Sequence, residues 1–347
     1  MTNSIFLDTL NGIKRERPPV WFMRQAGRVI PQYLQLREKY SFKELMNTPE
    51  LAAEVTLQPV HLLGVDAAIL FSDILVIPEA MGMDLEFTDK GPRFDHPLKA
   101  MKDPLTALSP DPEKLQPVYN AIDAIIASKP KDIPLIGFCG APLTTFLYMV
   151  QGLSSNHTFP DAIDFIYRNR ELTEKIFDAI TELSVEYALA QIKHGVKAFQ
   201  LFDTHAGLIP VSLYFELVMP RIRKIMKAIR NTGTSTIFLP KGLGTGLKNL
   251  TSEDADFVSI DWHTPITEAR KMLHPQIGVQ GNLDPRILTA DQATIKAELE
   301  KYREFGKENY NWIFNLGHGL IPSIPFENVK FVVDWVKNTD WGRKGDL

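Results

Sequence analysis

Cysteine is almost absent: Cys139 is the only one in 347 residues. A single thiol excludes an internal disulfide framework and fits a reducing compartment. No apolar run is long enough to span a bilayer, and the chain does not open on a secretory apolar core. Basic charge is not in excess either. Lys and Arg total 38 against 42 Asp and Glu, a net charge of −4, so a broad nucleic-acid footprint is excluded and any anion site must be local. The eight histidines show no H-x-x-x-H spacing, no G-x-G-x-x-G follows a strand-like run, and no Walker motif is present. These absences argue against a metal and against a nucleotide cofactor. The expectation is a soluble, cytoplasmic protein without a membrane or nucleic-acid partner.

What is present is enough apolar material for a large core, 44% hydrophobic residues against 23% charged. Short apolar runs of buried-strand type recur at 20–23, 66–71, 133–138, 198–202, 236–239, 257–260, 277–280 and 312–316. Helical patterns separate most of them: 3–16 before the first, then 48–63, 111–128, 160–194, 213–230 and 325–337. Thr48-Pro49 reads as a helix start, and Thr289-x-x-Gln292 as a capping box. Residues 78–110 carry many Pro, Gly and Asp and little periodicity, which reads as a long excursion over one face. Strands alternating with helices mean a parallel sheet with helices outside, and eight such units predict an α/β fold of the (β/α)₈ barrel type, one domain over 1–347. A doubly wound open sheet is the alternative.

The strand ends carry reactive side chains: Arg24, Asp73, Asp203, Lys241, Asp261, Asn282 and His318. In a barrel all those ends share one face, where active sites form. Arg24 and Arg28 bracket Gly27, which lets the backbone turn so that two guanidiniums converge on a carboxylate- or phosphate-rich ligand; the alternative is a pair of solvated loop arginines. Asp73 precedes the apolar Ile74-Leu75-Val76-Ile77, where a carboxylate is either a cap for backbone N–H groups or a functional anion; with no helix start after it to cap, the functional anion is the preferred reading. His318 sits between two glycines, where backbone can approach a ligand. Lys241 is either a Schiff-base lysine or, more simply, a carboxylate binder. Tyr148 falls on a helix after the third strand, where a lone tyrosine usually packs. Cys139 reads as a small buried residue.

Five segments resemble the uroporphyrinogen decarboxylase family: Trp21-Phe22-Met23-Arg24-Gln25-Ala26-Gly27-Arg28, Asp66-Ala67-Ala68-Ile69-Leu70-Phe71-Ser72-Asp73-Ile74-Leu75, Ile136-Gly137-Phe138-Cys139-Gly140-Ala141-Pro142, Gln280-Gly281-Asn282-Leu283-Asp284-Pro285 and Asn315-Leu316-Gly317-His318-Gly319. They span nearly the whole chain in the family's order. The resemblance implies a (β/α)₈ barrel, a homodimer and a cofactor-free decarboxylase acting on uroporphyrinogen III. It implies substrate contact at Arg24, Arg28, Asp73, Tyr148, Thr204 and His318, with Arg24, Asp73, Tyr148 and His318 as the catalytic set. Phe138 is counted with the substrate contacts. Thr204 stands where the family usually has serine, Val29 where tyrosine is common, and Gln151 where glutamate is frequent. A phosphosugar aldolase or isomerase barrel and a non-catalytic tetrapyrrole binder are the rival readings. A zinc- and corrinoid-linked methyltransferase, found in related barrels, needs more than one cysteine.

Overall fold

In the computed structural model, which describes residues 4–88, 91–153 and 158–345, the chain builds nine strands. Seven form one parallel sheet in the order β1 (Ala68–Ile69), β4 (Leu135–Gly140), β5 (Ala198–Asp203), β6 (Ser235–Pro240), β7 (Phe257–Ser259), β8 (Gly278–Gln280) and β9 (Trp312–Ile313). The other two, β2 (Leu85–Thr88) and β3 (Gly91–Phe94), pair as an antiparallel hairpin. Pro49–Leu62 leads into β1, and helices connect successive strands of the large sheet, among them Gln116–Ser128, Arg170–Lys193 and Met219–Arg230. This is the expected barrel, curled so that its two edge strands, β1 and β9, meet through a common stave.

That stave is the segment 19–23, and it differs from the expected first strand. Its sheet-type pairing is a single parallel bridge, Val20 with Phe314. The Phe314 N–H donates to the Pro19 carbonyl at 2.9 Å and the Asp66 N–H to the Val20 carbonyl at 2.8 Å, which joins both edges of the sheet. The reason for the missing ladder is chemical. Pro18 and Pro19 have no N–H to give. The Val20 N–H donates to the Asp66 carboxylate (2.8 Å), the Phe22 N–H to Gln25 Oε1 (2.9 Å) and the Met23 N–H to Asn315 Oδ1 (3.2 Å). Side chains have taken over the work of a neighbouring strand.

Below the strand ends the barrel interior is packed and partly polar. Trp21 Nε1 donates to Gln280 Oε1 at 3.0 Å, and Gln280 Nε2 donates to both Gln200 Oε1 and Ser259 Oγ at 3.1 Å. These groups are buried, and each polar atom named has a partner, as a low-dielectric core requires.

Other elements depart from the sequence reading. The first helix is Ile5–Leu10 rather than 3–16, because Gly12 takes φ +75° and ends it, leaving Ile13 exposed. Two helices went unread, Pro31–Arg37 and Phe42–Asn47. Thr48 precedes Pro49–Leu62 without a side-chain cap bond. The stretch 160–194 is two helices broken at Asn169. Residues 211–230 include a π turn at Tyr214–Val218; Pro220, with no N–H, cannot bond back to Glu216, which favours the slipped register. Asp291, not Thr289, caps Gln292–Glu300 by accepting the Thr294 N–H at 2.8 Å. Within 78–110 the chain is not featureless: it holds the β2–β3 hairpin, anchored where the Phe94 N–H meets the Gly152 carbonyl at 3.0 Å; residues 89 and 90 lie outside the described ones.

Gln25 is fully buried and ties the stave to the second segment, its Nε2 donating to the Ala67 carbonyl at 2.9 Å. Replacing it leaves the Phe22 N–H and the Ala67 carbonyl buried without partners. Gln25→Ala should therefore lower unfolding free energy by about 2–4 kcal/mol, measured by urea titration. A change under about 0.5 kcal/mol would show that the stave is held by other means.

Candidate active site

Where the stave ends, the backbone turns sharply. Arg24 has φ +63°, Gly27 φ +111° and Arg28 φ +27°. Non-glycine residues held in this region cost on the order of 1–3 kcal/mol each and persist only where the surroundings fix them. Here they are fixed from two sides. The Gln25 N–H donates to the Phe22 carbonyl at 3.0 Å, and the Leu320 N–H donates to the Met23 carbonyl at 3.0 Å, docking the last strand-end loop on the first. Gly319 is needed for that docking, since a Cβ there would lie 2.4 Å from Arg24 Cδ. Arg24 is surrounded by protein yet reachable by solvent through the cleft. Burial lowers the pKa of both guanidiniums, with Asp73 working against the change, and Arg28 falls to about 10. Both remain cations at neutral pH.

Asp73 follows the second segment and sits opposite them. One carboxylate oxygen accepts the Leu75 N–H at 2.8 Å, just ahead of the short helix Val76–Ala80. A helix does start here, against the expectation from sequence, so part of this carboxylate acts as a local cap. The other oxygen has no hydrogen-bond partner among the described residues. Burial pushes the Asp73 carboxyl above the usual range, while the Leu75 N–H, Arg24 and Arg28 pull it back.

His318 adds a neutral donor. The Gly319 N–H donates to its Nδ1 at 2.5 Å, so the ring proton of the neutral imidazole belongs on Nε2. Burial, then the Arg24 and Lys241 charges, hold its pKa well below the ordinary value. Tyr148, on the helix Pro142–Gln151, has its phenol pushed up to about 12, first by burial and then by Asp73, so it too is a donor. Thr204 is clamped between its neighbours. The Thr144 hydroxyl donates to Asp203 Oδ1 (2.5 Å) and accepts the His205 N–H (3.1 Å), and the Tyr214 hydroxyl donates to Asp203 Oδ2 (2.7 Å).

These residues share one cleft with two lobes. The first, about 950 Å³, is lined by Arg24, Arg28, Asp73, Phe138, Thr204 and His318 together with an apolar wall. The second, about 830 Å³, shares Arg24, Thr204 and His318 with the first and adds Tyr148, His205 and Lys241. Neither arginine, nor Lys241, is in an ion pair among the described residues. Three uncompensated cations thus line a cleft whose lining holds a single carboxylate, Asp73. Such an arrangement is made for a ligand with several negative groups. Among the described residues no three His, Cys, Asp or Glu are grouped to hold a metal; His157 lies outside them.

A family model described as uroporphyrinogen decarboxylase matches residues 1–339. The chain belongs to the uroporphyrinogen decarboxylase family. It is 42% identical over 335 residues to the uroporphyrinogen decarboxylases of Trichlorobacter lovleyi and Geobacter metallireducens, covering 96% of this chain and 98% of each relative. Among solved structures it is similar to a methyltransferase from Methanosarcina mazei, with a TM-score of 0.77, 21% identity and 95% of this chain and 96% of the other covered. A B12-independent methionine synthase from Shewanella sp. gives a TM-score of 0.58 at 14% identity over 86% and 88% of the two chains. These two likenesses concern the fold alone.

Against the uroporphyrinogen decarboxylase pattern, the three departures fall in different places. Thr204 lines the cleft. Val29 is buried in the core, 5% exposed, and lines neither lobe. Gln151 binds the start of the next helix, its amide donating to the Asp161 carboxylate at 3.0 Å and accepting the Asp161 N–H at 3.0 Å, a pairing that a glutamate could make only in part.

Not every polar strand end belongs to the site. Asp203 is a buried bracket, its pKa raised to about 6 by burial against the two hydroxyl donors. Asp261 accepts the Gly242 N–H at 2.6 Å and the His263 N–H at 2.9 Å, and Asn282 donates to the Asp261 and Thr264 carbonyls. Conversely, Tyr33 and Phe42 line the first lobe although the sequence reading passes over both. Their helices do carry start signals. Pro31 opens one, and Ser41 and Glu44 form a true capping box on the other.

The raised carboxyl of Asp73 is directly measurable. A ¹³C carboxyl titration, wild type minus Asp73→Asn, should show a pKa above the ordinary value of about 3.9. Activity that depends on ionised Asp73 should then fall as pH drops through that raised value. A titration at or below about 3.9 would contradict the assignment.

Proposed function

We propose that this chain decarboxylates the four acetate side chains of uroporphyrinogen III to methyl groups, giving coproporphyrinogen III, in tetrapyrrole biosynthesis. The observation that carries the reading is the cleft itself: two unpaired guanidiniums opposite one buried carboxylate, in a family member. The substrate is a flexible cyclic tetrapyrrole with four acetates and four propionates, so it brings the carboxylates that Arg24 and Arg28 lack and pyrrole N–H donors for Asp73. The phosphosugar reading is not favoured by the family match, and a mere binder would not explain membership in a decarboxylase family.

The chemistry needs an electron sink. An acetate on a neutral pyrrole has nowhere to leave its electrons, so the ring is first protonated at the carbon beside the nitrogen. The resulting cation accepts the electron pair of the breaking carbon–carbon bond, and CO₂ departs. A proton then adds to the exocyclic methylene to give the methyl, and the ring proton is lost; each round consumes one proton net. Asp73 accepts pyrrole N–H bonds and stabilises the ring cation electrostatically where water is largely excluded. Arg24 and Arg28 hold carboxylates that are not reacting. His318 Nε2–H, the Tyr148 phenol and the Thr204 hydroxyl complete the polar contacts, and Phe138 contributes apolar wall. No cofactor enters this scheme. The homodimeric state implied by the family resemblance and the cytoplasmic location expected from the single cysteine are part of the reading; among the described residues no helix is long and apolar enough to cross a membrane.

Anaerobic incubation with uroporphyrinogen III followed by chromatography of the porphyrins tests it. The expected result is stepwise loss of four carboxyls, with Asp73→Asn folded and slower by about 10²–10³. Unchanged substrate with wild-type protein would refute the activity. Near wild-type turnover by folded Asp73→Asn would refute the role given to the carboxylate.

A further inference from the structure

The second lobe of the cleft contains a cation that the scheme above leaves without a task. Lys241 stands at the end of β6, and its backbone is pinned on three sides. Its N–H donates to the Asp203 carbonyl at 3.0 Å, its carbonyl accepts the Gly207 N–H at 3.0 Å, and the following Gly242 N–H is held by Asp261 at 2.6 Å. Gly207 and Gly242 meet so closely that a Cβ on Gly207 would lie 2.6 Å from the Gly242 carbonyl oxygen. The ammonium lies 5.3 Å from the centre of the Trp262 ring, which holds a cation in place without neutralising it.

The neighbouring acid does not neutralise it either. Asp261 spends one oxygen on the Gly242 N–H and the other on the His263 N–H and ring Nδ1, at 2.9 Å each. A half-buried lysine with a fixed backbone, an aromatic shelf and no carboxylate partner is unlike a solvated surface lysine, whose chain is mobile and hydrated. It also faces Arg24, Tyr148, Thr204 and His318 across the lobe. Its charge is felt there, being among the causes of the low His318 pKa.

We propose that Lys241 anchors a propionate carboxylate of the substrate, making the second lobe a binding subsite for a group that stays on the product. This rests on the proposed decarboxylation. The reacting acetate is a poor partner for a fixed cation. Its negative charge is dispersed into the ring as CO₂ leaves, so an ammonium on that carboxylate would favour the ground state over the transition state. A propionate keeps its charge through all four rounds, and an ammonium, which binds carboxylates from many directions, suits one that must be exchanged as successive pyrroles are presented.

The test compares Lys241→Met and Lys241→Arg with wild type under anaerobic conditions. It reads KM and kcat for uroporphyrinogen III, the inhibition constant of coproporphyrinogen III, and Tm. Coproporphyrinogen has propionates and no acetates. Lys241→Met should raise both KM and the inhibition constant by about tenfold, with kcat within about twofold of wild type. Tm should be unchanged, and Lys241→Arg should restore most of both affinities. KM and inhibition constant both unchanged would overturn the inference. So would a raised KM with an unchanged inhibition constant, which would place an acetate there, or a fall in kcat alone, which would place Lys241 in the chemistry. Loss of affinity accompanied by a fallen Tm and no rescue by arginine would mean a structural role and would also overturn it. Failure of wild-type protein to convert uroporphyrinogen would remove the functional reading first and this inference with it.

Discussion

The reactive face depends on hydrogen bonds that side chains, beside the single bridge to Phe314, make to the backbone of residues 19–25. Asp66, Gln25 and Asn315 each take an N–H of this stave, at 2.8, 2.9 and 3.2 Å. A regular strand would have delivered its residues alternately to two faces and ended where its ladder ended. A stave held by side chains can end where those side chains allow, so the turn into Arg24 opens at Phe22, two residues after the bridge at Val20. The strain of two arginines at positive φ is sustained by the same grip. Asp66 is itself held by Arg17, whose guanidinium makes two bonds to it at 2.7 and 2.8 Å. The bottom of the barrel and its catalytic rim are thereby joined through one short piece of chain.

From that geometry the electrostatics follow. The two guanidiniums and the Asp73 carboxylate influence one another without pairing, so each is left with capacity for a ligand. Burial makes every one of these charges more expensive in the free protein, and a substrate rich in carboxylates and pyrrole N–H groups would relieve that cost on binding. The neutral donors His318 and Tyr148 fit the same logic, because a charged histidine beside Arg24, Arg28 and Lys241 would add a fourth cation to a crowded rim. Asp203, by contrast, keeps Thr204 in place from below. Each of its oxygens accepts one hydroxyl and the side chain is fully buried, so it is turned away from any ligand.

Much of this was legible in the sequence, and the parts that were not have physical causes. The alternation of apolar runs and helical patterns reports on burial, which is why the barrel and the rim residues Arg24, Asp73, Lys241 and His318 could be read. Side-chain-to-backbone bonds leave no periodicity, so the stave looked like an ordinary strand and the bond from Asp73 to Leu75 went unread. The rim position of Asp203, Asp261 and Asn282 was right, but composition cannot say which strand-end groups spend their hydrogen bonds inward. Tyr33 and Phe42 were hidden because their helices are short, seven and six residues, too brief for a periodic signal. The local start signals at Pro31 and Ser41–Glu44 were the only clue available.

The central claim is that the turn after the stave aims Arg24 and Arg28 at substrate carboxylates while Asp73 receives the pyrrole N–H groups. The measurement closest to it is a structure of the protein with coproporphyrinogen III bound under anaerobic conditions. The account predicts pyrrole nitrogens within about 3 Å of the free Asp73 oxygen and propionate carboxylates on the two guanidiniums, with the backbone of 19–28 unmoved. A macrocycle whose N–H groups face away from Asp73, or whose carboxylates leave Arg24 and Arg28 to water, would contradict it.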